Sequence, residues 1–349
     1  MSARAPHAAL LDRLLAGRSL DRETAERLMD DLMAGEVPAP AAAGLLVALR
    51  AKGETDDELA GLAAAMRRAA ASVPPLPDGA VDTCGTGGDG SGTFNISTAA
   101  ALVVAACGVP VAKHGNRSVS SRCGSADVLE ELGVPVDLPP AAAAAHVAEV
   151  GIGFFFAPRC HPAMRHVAPA RRALGVRTCF NLLGPLTNPG RVRRQVVGVF
   201  APDRLEQVAR VLGMLGAERA LAVHGHGGLD EFSLAGPTEV AEWRDGTVRR
   251  WTATPQDAGL APATAAALRG GDAAVNAAIV RGVLAGRPGP ARDAVLFNAA
   301  AALLVAGRAD DLRAGVAMAA AAVDDGRAAA VLERWAAAAR RDSGREAAS

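Results

Sequence analysis

Residues 81–98 read VDTCGTGGDGSGTFNIST and place five glycines among the eight positions from Gly85 to Gly92. A helix is predicted just behind this loop, from Thr98 to Cys107. Glycine-rich loops let backbone N–H groups approach an anion closely, and a helix N-terminus behind such a loop adds oriented donors and the positive end of a dipole. The stretch therefore predicts a binding site for a phosphate or a pyrophosphate.

The same loop contains a literal G-x-G-x-x-G that begins at Gly85, the spacing of dinucleotide-binding proteins. That class needs an acidic residue roughly 20 positions further on, and no Asp or Glu occurs from Gly90 to Ala126. A Walker loop is excluded because Ser91, and not lysine, follows the last of these glycines. Asp89 would repel a phosphate, so its carboxylate is expected to bind sugar hydroxyls or to face a bound metal.

A second motif, KHGNRSVSS, spans Lys113–Ser121, and GSAD follows at Gly124–Asp127. Two of the 37 basic residues are lysines, and Lys113 is one of them. A need for a compact point charge would explain a lysine in a chain that otherwise uses arginine, although two surviving lysines can also be a matter of chance. Val109–Ala112 is predicted to be a buried strand, which places Lys113 at its carboxyl end, where ligands bind in open α/β sheets.

The composition indicates a globular protein with a large core, because half of its 349 residues are apolar. The formal net charge is zero, which argues against nucleic acid as the main partner. No uninterrupted apolar run predicts a membrane span, and Met1–Leu20 carries charges throughout, so neither membrane association nor a signal peptide is expected. The five cysteines form no CxxC pair, which favours reduced thiols and a cytoplasmic location.

Charge is unevenly distributed along the chain. Val150–Pro202 contains no acidic residue and eight arginines. Together with the acid-free stretch from Gly90 to Ala126, this predicts a basic surface for a small acidic substrate. The alternative is an ordinary solvated basic face whose acidic partners come from other segments.

The first 72 residues are predicted to be helical. The expected helices are Ala8–Ala16, Arg22–Ala34, Pro40–Lys52 and one that a capping box opens at Thr55–Glu58 and that runs to about Ala71. Val73–Gly79 contains three prolines and a glycine and is the expected linker.

From Ala80 onward, short apolar runs alternate with helical patterns, which predicts a mainly parallel sheet with helices on both faces. The expected strands, besides the one before Lys113, are Ile152–Phe156, Gln195–Phe200 and Ala220–Val223. The expected helices include Ala141–Val150 and Asp203–Leu215, and the arginine-rich segment Pro162–Leu183 is expected to be helical. A β-hairpin around Asp245-Gly246 (Val240–Trp243 and Thr247–Trp251) is followed by alanine-rich helices from about Ala273 to Arg340. The fold class is α/β: a small N-terminal α-helical domain plus a larger α/β domain with a mainly parallel central sheet flanked by helices.

Three further motifs follow in order: HPAMRHVAPAR at His161–Arg171, NLLGPLTNP at Asn181–Pro189, and HGHGGLDE at His224–Glu231. With the two motifs above, they resemble the anthranilate phosphoribosyltransferase family, in order and spacing, from about residue 8 to about residue 340. The resemblance implies transfer of the phosphoribosyl group of 5-phosphoribosyl 1-pyrophosphate (PRPP) to the amine of anthranilate. The products are N-(5-phosphoribosyl)anthranilate and pyrophosphate, in tryptophan biosynthesis.

The resemblance also implies an organisation. The α-helical domain is residues 1–72, completed by about 162–185, and the α/β domain, which binds PRPP, is residues 80–161 and 186–349. The expected partners are PRPP and anthranilate, without nucleic acid or membrane. A homodimer associating through the helical domain is implied as well.

The same resemblance assigns site residues motif by motif. The residues implied for PRPP are Gly85, Gly88, Asp89, Thr93, Asn95, Ile96, Ser97, Thr98, Lys113, His114, Gly115, Asn116, Arg117, Ser118, Val119, Ser120, Ser121 and Ser125. Those implied for anthranilate are Gly85, His114, Asn116 and Arg171, and those implied for Mg²⁺ are Ser97, Asp230 and Glu231. Adjacent carboxylates beside a pyrophosphate suit Mg²⁺, although adjacent acids on a loop are often merely solvated. An arginine fork suits a carboxylate. Because glycines precede Leu229, the sequence does not predict the path of the loop that leads to Asp230.

Two alternatives share the expected fold. A pyrimidine nucleoside phosphorylase would not need the adjacent Asp230 and Glu231, and it lacks KHGNR. A non-catalytic, nucleic-acid-binding relative should be strongly basic and should lack intact phosphate-loop or metal residues. This chain is neutral and keeps both sets.

Overall fold

The structure, a computed structural model, describes residues 6–118 and 122–346. Val119, Ser120 and Ser121, which the resemblance assigns to the PRPP site, lie outside the described residues. No helix within the described ranges is long and apolar enough to cross a bilayer.

Seven strands of the described part form one sheet. They are β1 Val81–Gly85, β2 Val111–Gly115, β3 Ile152–Phe156, β4 Arg194–Gly198, β5 Arg219–Gly225, β6 Thr238–Arg244 and β7 Thr247–Ala253. Their spatial order is β3-β2-β1-β4-β5-β6-β7, and the first five strands are parallel while β6 and β7 are antiparallel. The predicted mainly parallel sheet is confirmed.

Helices surround this sheet and precede it. They are α1 Pro6–Leu15, α2 Arg22–Ala34, α3 Ala39–Lys52, α4 Asp56–Ala69, α5 Ile96–Ala106, α6 Ser125–Glu131, α7 Pro140–Val150, α8 Ala157–Cys160, α9 Ala168–Leu174, α10 Phe180–Leu186, α11 Leu205–Met214, α12 Ala273–Leu284, α13 Pro290–Val305, α14 Leu312–Asp324 and α15 Arg327–Glu346. The four N-terminal helices and the alanine-rich C-terminal helices agree with the predictions to within a few residues.

Alternation along the strands directs side chains into two cores. In β4 and β5, Val196 and Leu221 join the core formed with α5 and α12–α15. Their neighbours Val197 and Ala222 join the core on the opposite face, which includes α11 and the N-terminal helices. The sheet is therefore covered on both sides, as a mainly parallel sheet requires.

A buried carboxylate fixes the N-terminal helices to one another. Glu58 accepts a hydrogen bond from the backbone N of Thr55 (2.8 Å) and so completes the predicted capping box of α4. Lys52 Nζ donates to the same oxygen (2.8 Å), and the second oxygen accepts from the backbone N of Leu20 (2.8 Å). One glutamate thus joins the end of α3, the start of α4 and the approach to α2.

The segment His161–Leu186, which we call the crossover segment, packs on these helices. Val167 and Leu183 belong to the same core as Leu45 and Leu62. The segment Pro162–Leu183, which is predicted to be helical, consists of three separate helical elements: a 3₁₀ turn at Pro162–His166, α9 and α10. Gly175 ends α9 in the left-handed region, with φ +60°, and the chain turns there before α10 begins.

Two strands differ from the sequence prediction. β1 is absent from the predicted strands, because Asp82 and Thr83 interrupt its apolar pattern. β2 runs from Val111 to Gly115 instead of Val109–Ala112, since Pro110 has no N–H to give to the ladder. Lys113 consequently lies within the strand and not just beyond it.

Candidate active site

The candidate site lies beyond the carboxyl ends of β1 and β4. β1 is flanked by β2 on one side and β4 on the other, so the strand order reverses there. Ligands bind at such a switch point in open α/β sheets. The glycine-rich loop leaves β1 at this place, and α5 begins directly behind it.

Two glycines let a carboxylate loop approach the strand ends. Gly85 and Gly198 are register partners on β1 and β4. A Cβ added at Gly198 would lie 1.7 Å from the backbone O of Asp230, and one added at Gly85 would lie 2.7 Å from Asp230 Oδ2. Any side chain at Gly198 would therefore displace the loop that carries Asp230 and Glu231.

Three carboxylates converge at this point. Asp230 Oδ2 accepts a hydrogen bond from the backbone N of Gly87 (2.9 Å). The Asp89 carboxylate turns towards Asp230, whose backbone N lies 3.4 Å from Asp89 Oδ2. Burial, and then the charges of Asp89 and Glu231, raise the pKa of Asp230 well above its usual value. Burial also raises the pKa of Glu231, to about 7. The cluster is electrostatically costly without a cation.

Lys113 and the start of α5 lie on the other side of Glu231. The backbone N of Ser97 donates to Glu231 Oε1 (3.1 Å), so a first-turn donor of α5 serves a carboxylate of the chain itself. Lys113, 2% exposed, donates to the backbone O of Thr83, and its Nζ lies 3.4 Å from Ser97 Oγ. The Lys113 charge lowers the pKa of Glu231 against the effect of burial.

These groups fit a magnesium ion. Ser97, Asp230 and Glu231 offer hard oxygen atoms, and a small cavity is lined by Ser97 and Glu231 together with Thr83 and Cys84. Within the described residues, no group of three His, Cys, Asp or Glu side chains is arranged to hold a metal by itself. Mg²⁺ is ordinarily bound through one or two carboxylates plus substrate phosphates, so this donor set is what such an ion needs.

Two histidines meet at the edge of the site. The rings of His114, at the end of β2, and His161, at the start of the crossover segment, have centroids 5.1 Å apart. Burial, and then the charge of His161, lower the pKa of His114 to about 3, and burial lowers the pKa of His161 to about 4. Both Nε2 atoms are buried without a hydrogen-bond partner in the described part of the chain. The pair is neutral, and the Nε2 atom of each ring can still form a hydrogen bond.

A buried carboxylate contacts the backbone at His114. Asp82 accepts from the backbone N of His114 (3.2 Å) and from Asn188 Nδ2 (2.8 Å). Asn188 also donates to the backbone O of Ala112 (2.8 Å). Burial raises the pKa of Asp82, with Lys113 and Asn188 opposing that rise. Asp82 thereby joins β1, β2 and the end of the NLLGPLTNP motif.

Two arginines of the crossover segment lie over aromatic rings. Arg171 on α9 is half-buried, and its guanidinium lies over the ring of Phe180, 4.9 Å from the centroid. Burial lowers its pKa, and no acidic side chain of the described residues pairs with it. Arg177 donates to the backbone O of Gly88 and lies over the ring of Phe200.

Several other residues assigned by the resemblance have structural partners here. Asn95 Oδ1 accepts from Asn276 Nδ2 (2.9 Å), and Asn95 Nδ2 donates to the backbone O of Cys123 (3.2 Å). The Ile96 side chain is buried in the core, so its backbone alone can reach a ligand. Thr93 Oγ1 lies 3.2 Å from Ser91 Oγ. Thr98 differs from these residues, because its Oγ1 is buried without a hydrogen-bond partner among the described residues.

The second motif folds back on α6. Ser125 Oγ donates to the backbone O of Asn116 (3.2 Å), and Gly115 passes so close that an added Cβ would meet Ser125 Oγ at 2.3 Å. The backbone N of Ser118 donates to Asp127 (3.1 Å). Arg117 forms ion pairs with Asp127 and Glu130, so acidic side chains occupy its fork in this structure.

Models of known families match both parts of the chain. Residues 8–70 match the helical bundle domain of a glycosyl transferase family, and residues 77–329 match the a/b domain of the same kind of family. An anthranilate phosphoribosyltransferase of Moorella thermoacetica is 54% identical over 325 residues, which cover 93% of this chain and 96% of the relative. The chain belongs to the anthranilate phosphoribosyltransferase family.

Solved structures of this family extend the likeness to three dimensions. The anthranilate phosphoribosyltransferase of Thermus thermophilus superposes with a TM-score of 0.90 at 48% identity, over 95% of this chain and 99% of that one. The Saccharomyces cerevisiae protein, solved in complex with PRPP and Mg, gives a TM-score of 0.87 at 25% identity, over 97% of this chain and 99% of that one. The family inferred from the sequence motifs is thus confirmed.

Three site residues escape the sequence reasoning. His161 stands in a quoted motif without an assigned role, and Arg177 is one of the arginines of an acid-free stretch. Asp82 is part of the short lead before the glycine-rich loop and has no role there. The missing information is tertiary, because each of them acts through a partner distant in sequence: His114, Gly88 and Asn188, respectively.

Proposed function

We propose that the chain catalyses transfer of the phosphoribosyl group of PRPP to the amine of anthranilate, giving N-(5-phosphoribosyl)anthranilate and pyrophosphate in tryptophan biosynthesis. The names of relatives about half identical over nearly the whole chain support this reaction. The observation that carries it is the meeting of the glycine-rich loop, Lys113 and the Asp230–Glu231 pair at one end of the sheet. Such a set suits a substrate that bears a pyrophosphate.

PRPP occupies the space between the two motif loops. Gly85, Gly88, Asp89 and Thr93, with the start of α5 from Asn95 to Thr98, form one wall. Lys113–Ser118 and Ser125 form the other. Two walls are needed because PRPP has phosphate groups at both ends of its ribose, and each end carries negative charge that must be met by donors or cations.

Ser97, Asp230 and Glu231 hold Mg²⁺. The burial of the two carboxyl groups beside Asp89 supports this, since it raises their pKa values and a bound cation would stabilise their charged forms. The yeast relative, solved in complex with PRPP and Mg, also supports it. When bound, the ion supplies positive charge that offsets the charge developing on the leaving pyrophosphate.

Anthranilate binds beside the crossover segment. Arg171 has no acidic partner in the described ranges and can take a carboxylate with both arms of its fork. Gly85, His114 and Asn116 complete this subsite. A neutral His114 suits an uncharged aromatic amine, because it adds no repulsive charge and offers a hydrogen-bonding nitrogen.

The reaction needs no protein nucleophile. The bond from ribose C1 to the pyrophosphate oxygen breaks as the bond from C1 to the amine nitrogen forms, and the nitrogen then loses a proton. An arylamine is weakly basic, so no strong general base is required before attack. The contribution of the chain is to orient the two substrates and to place Lys113 and the loop donors near the negative charge.

We extend the proposal to assembly and location. A homodimer forms through the helical domain, taken as residues 1–72 completed by about 162–185, beside the α/β domain of residues 80–161 and 186–349. The exposed Leu15 (69%) and Val47 (43%) on α1 and α3 support an interface there. Free thiols at Cys84 and Cys160 support a reducing compartment, the cytoplasm.

A fluorescence assay tests the reaction. Purified protein is mixed with PRPP, Mg²⁺ and anthranilate, and the loss of anthranilate fluorescence is followed. The expected decay requires all three components. It collapses in the double variant Asp230→Ala/Glu231→Ala and in Arg171→Ala, while Arg172→Ala, an exposed neighbour on the same helix, retains it.

Failure would be informative. A folded protein that binds PRPP without consuming anthranilate would show that the acceptor is wrong, and pyrimidine nucleosides with phosphate would be tested next. A protein that binds neither substrate but retains single-stranded nucleic acid would refute the transferase assignment.

A further inference from the structure

Arg177 links the crossover segment to the glycine-rich loop. It lies in the turn between α9 and α10, and its Nη2 donates to the backbone O of Gly88. Its guanidinium lies over the Phe200 ring, 4.1 Å from the centroid. Its own backbone O accepts a hydrogen bond from Arg50 of α3. One residue therefore connects an N-terminal helix, the crossover segment and the loop.

The platform under Arg177 is itself attached to the loop. Phe200 follows β4, and its backbone N donates to Thr86 Oγ1 (3.0 Å). No acidic side chain of the described ranges forms an ion pair with Arg177, so its hydrogen bond goes to a carbonyl. A planar guanidinium can stack on a ring and donate in its own plane at the same time, which a lysine ammonium cannot do.

Holding the Gly88 carbonyl orients the next amide. The Gly88–Asp89 peptide is trans, so its C=O and N–H point in opposite directions. With the carbonyl turned to Arg177, the Asp89 N–H points to the other side of the loop. Gly88 has φ +73° and no Cβ, so the backbone itself restrains the orientation of this peptide only weakly. Without a partner, this carbonyl could turn towards an incoming anion and repel it.

The loop already shows this division of its two sides. The backbone N of Gly87, in the preceding peptides of the loop, donates to Asp230 Oδ2 (2.9 Å), and Asp89 Oδ2 lies near the backbone N of Asp230. The Gly88 carbonyl oxygen thus faces the crossover segment, and the N–H of the neighbouring Gly87 faces the carboxylate cluster.

We propose that Arg177, stacked on Phe200, is a positioning residue for PRPP, because it fixes the Gly88–Asp89 peptide with its N–H available to the pyrophosphate. This inference rests on the proposed function and deepens it. It assigns Arg177 no contact with the reacting atoms. The effect of losing Arg177 should therefore fall on PRPP binding and spare anthranilate binding.

The test separates PRPP binding from turnover. Dissociation constants for PRPP with Mg²⁺ are measured by calorimetry, and KM values for both substrates and kcat are measured by the fluorescence assay. The variants are Arg177→Ala, Arg177→Lys, Phe200→Leu and the double variant Arg177→Ala/Phe200→Leu. Arg172→Ala, which removes one exposed positive charge from the same segment, is the matched control.

Arg177→Ala should raise the PRPP dissociation constant and KM roughly 10- to 100-fold, the range for losing a hydrogen bond from a charged donor. The anthranilate KM, kcat and melting temperature should stay close to wild type. Arg177→Lys and Phe200→Leu should each give a smaller increase. The double variant should bind PRPP no more weakly than Arg177→Ala, because both changes disrupt the same Arg177–Phe200 contact.

Several results would overturn the inference. One is an unchanged PRPP dissociation constant in Arg177→Ala, and another is an equal loss of PRPP affinity in Arg172→Ala. A third is normal PRPP binding in both Phe200→Leu and Arg177→Lys, which would mean that Arg177 acts through a direct charge contact. If Arg177→Ala fails to fold, Arg177→Lys and Phe200→Leu decide by the same calorimetry. Wild-type protein that binds PRPP but does not consume anthranilate would refute the proposed acceptor and leave this inference standing.

Discussion

Replacing His161 by glutamine tests whether burial keeps the histidine pair neutral. His161 has a pKa of about 4 in the folded protein, lowered by burial from its ordinary value of 6.5. Between these values the unfolded chain binds a proton that the folded chain does not. Stability is therefore lost as pH falls through this window. At pH 4.5 the loss from this group is roughly 2 to 3 kcal/mol relative to pH 7.5.

The assay is urea unfolding at pH 7.5 and at pH 4.5, followed by tryptophan fluorescence, since Trp335 is buried in the core. Other groups titrate in both proteins, so the informative quantity is the difference between the two losses. His161→Gln should lose about 2 to 3 kcal/mol less than wild type on acidification. Removing His161 also relieves His114, whose pKa it lowers, which acts in the same direction.

His226→Gln is the matched control, because it replaces an exposed histidine. It should follow wild type at both pH values. Equal losses in wild type and His161→Gln would refute the idea that burial holds His161 neutral. A loss in His226→Gln as small as that in His161→Gln would show that the effect is not specific to the buried pair.

Three further predictions concern the loop, the metal and the lysine. Gly198→Ala would put a Cβ 1.7 Å from the Asp230 backbone, so turnover in the anthranilate fluorescence assay should fall on the order of 100-fold. Gly184→Ala, with open space around it, should retain activity in that assay. Asp230→Asn/Glu231→Gln removes the charge of two buried acids, so the metal-free protein should melt at a higher temperature than wild type in EDTA. PRPP with Mg²⁺ should no longer raise the melting temperature of this variant, and a wild-type response to the ligands would contradict the metal assignment. Lys113→Arg should lose at least about 10-fold in PRPP affinity by calorimetry, because the wider guanidinium does not fit the buried position, while Lys52→Arg at the buried Glu58 pair should affect stability alone.

Local patterns predict many of the elements. The Thr55–Glu58 capping box forms as expected, and β3 matches its predicted bounds because its five residues are a continuous buried apolar run. The hairpin around Asp245-Gly246 also forms, since Asp245 and Gly246 adopt positive φ in its two-residue turn. In these cases the decisive interactions lie within a few residues of each other.

β1 shows where local patterns fail. Asp82 occupies a fully buried strand position, which a periodicity argument counts against a strand. Its partners are the backbone N of His114, 32 residues away, and Asn188, 106 residues away. A buried carboxylate is tolerated because these donors satisfy it, and no local pattern reveals donors so distant in sequence.

The candidate site was likewise predictable from the sequence only in part. The glycine-rich loop, the lysine and the adjacent acids could be named from their motifs, together with the ligand chemistry that each favours. Their mutual arrangement could not, because the Ser97 N–H bonds Glu231 and Asp89 turns towards Asp230 across more than 130 residues of chain.

By itself, the sequence determined the elements with local causes, the two-part α-helical and α/β organisation and the chemistry of the ligands. The tertiary structure alone decided which strand ends meet, which donors face the carboxylates, and that His161 and Arg177 contact residues of the candidate site. The physical reason is that a motif specifies backbone conformation and functional groups over a few residues. Burial, charge repulsion and hydrogen-bond partners depend on which distant segments the folded chain brings into contact.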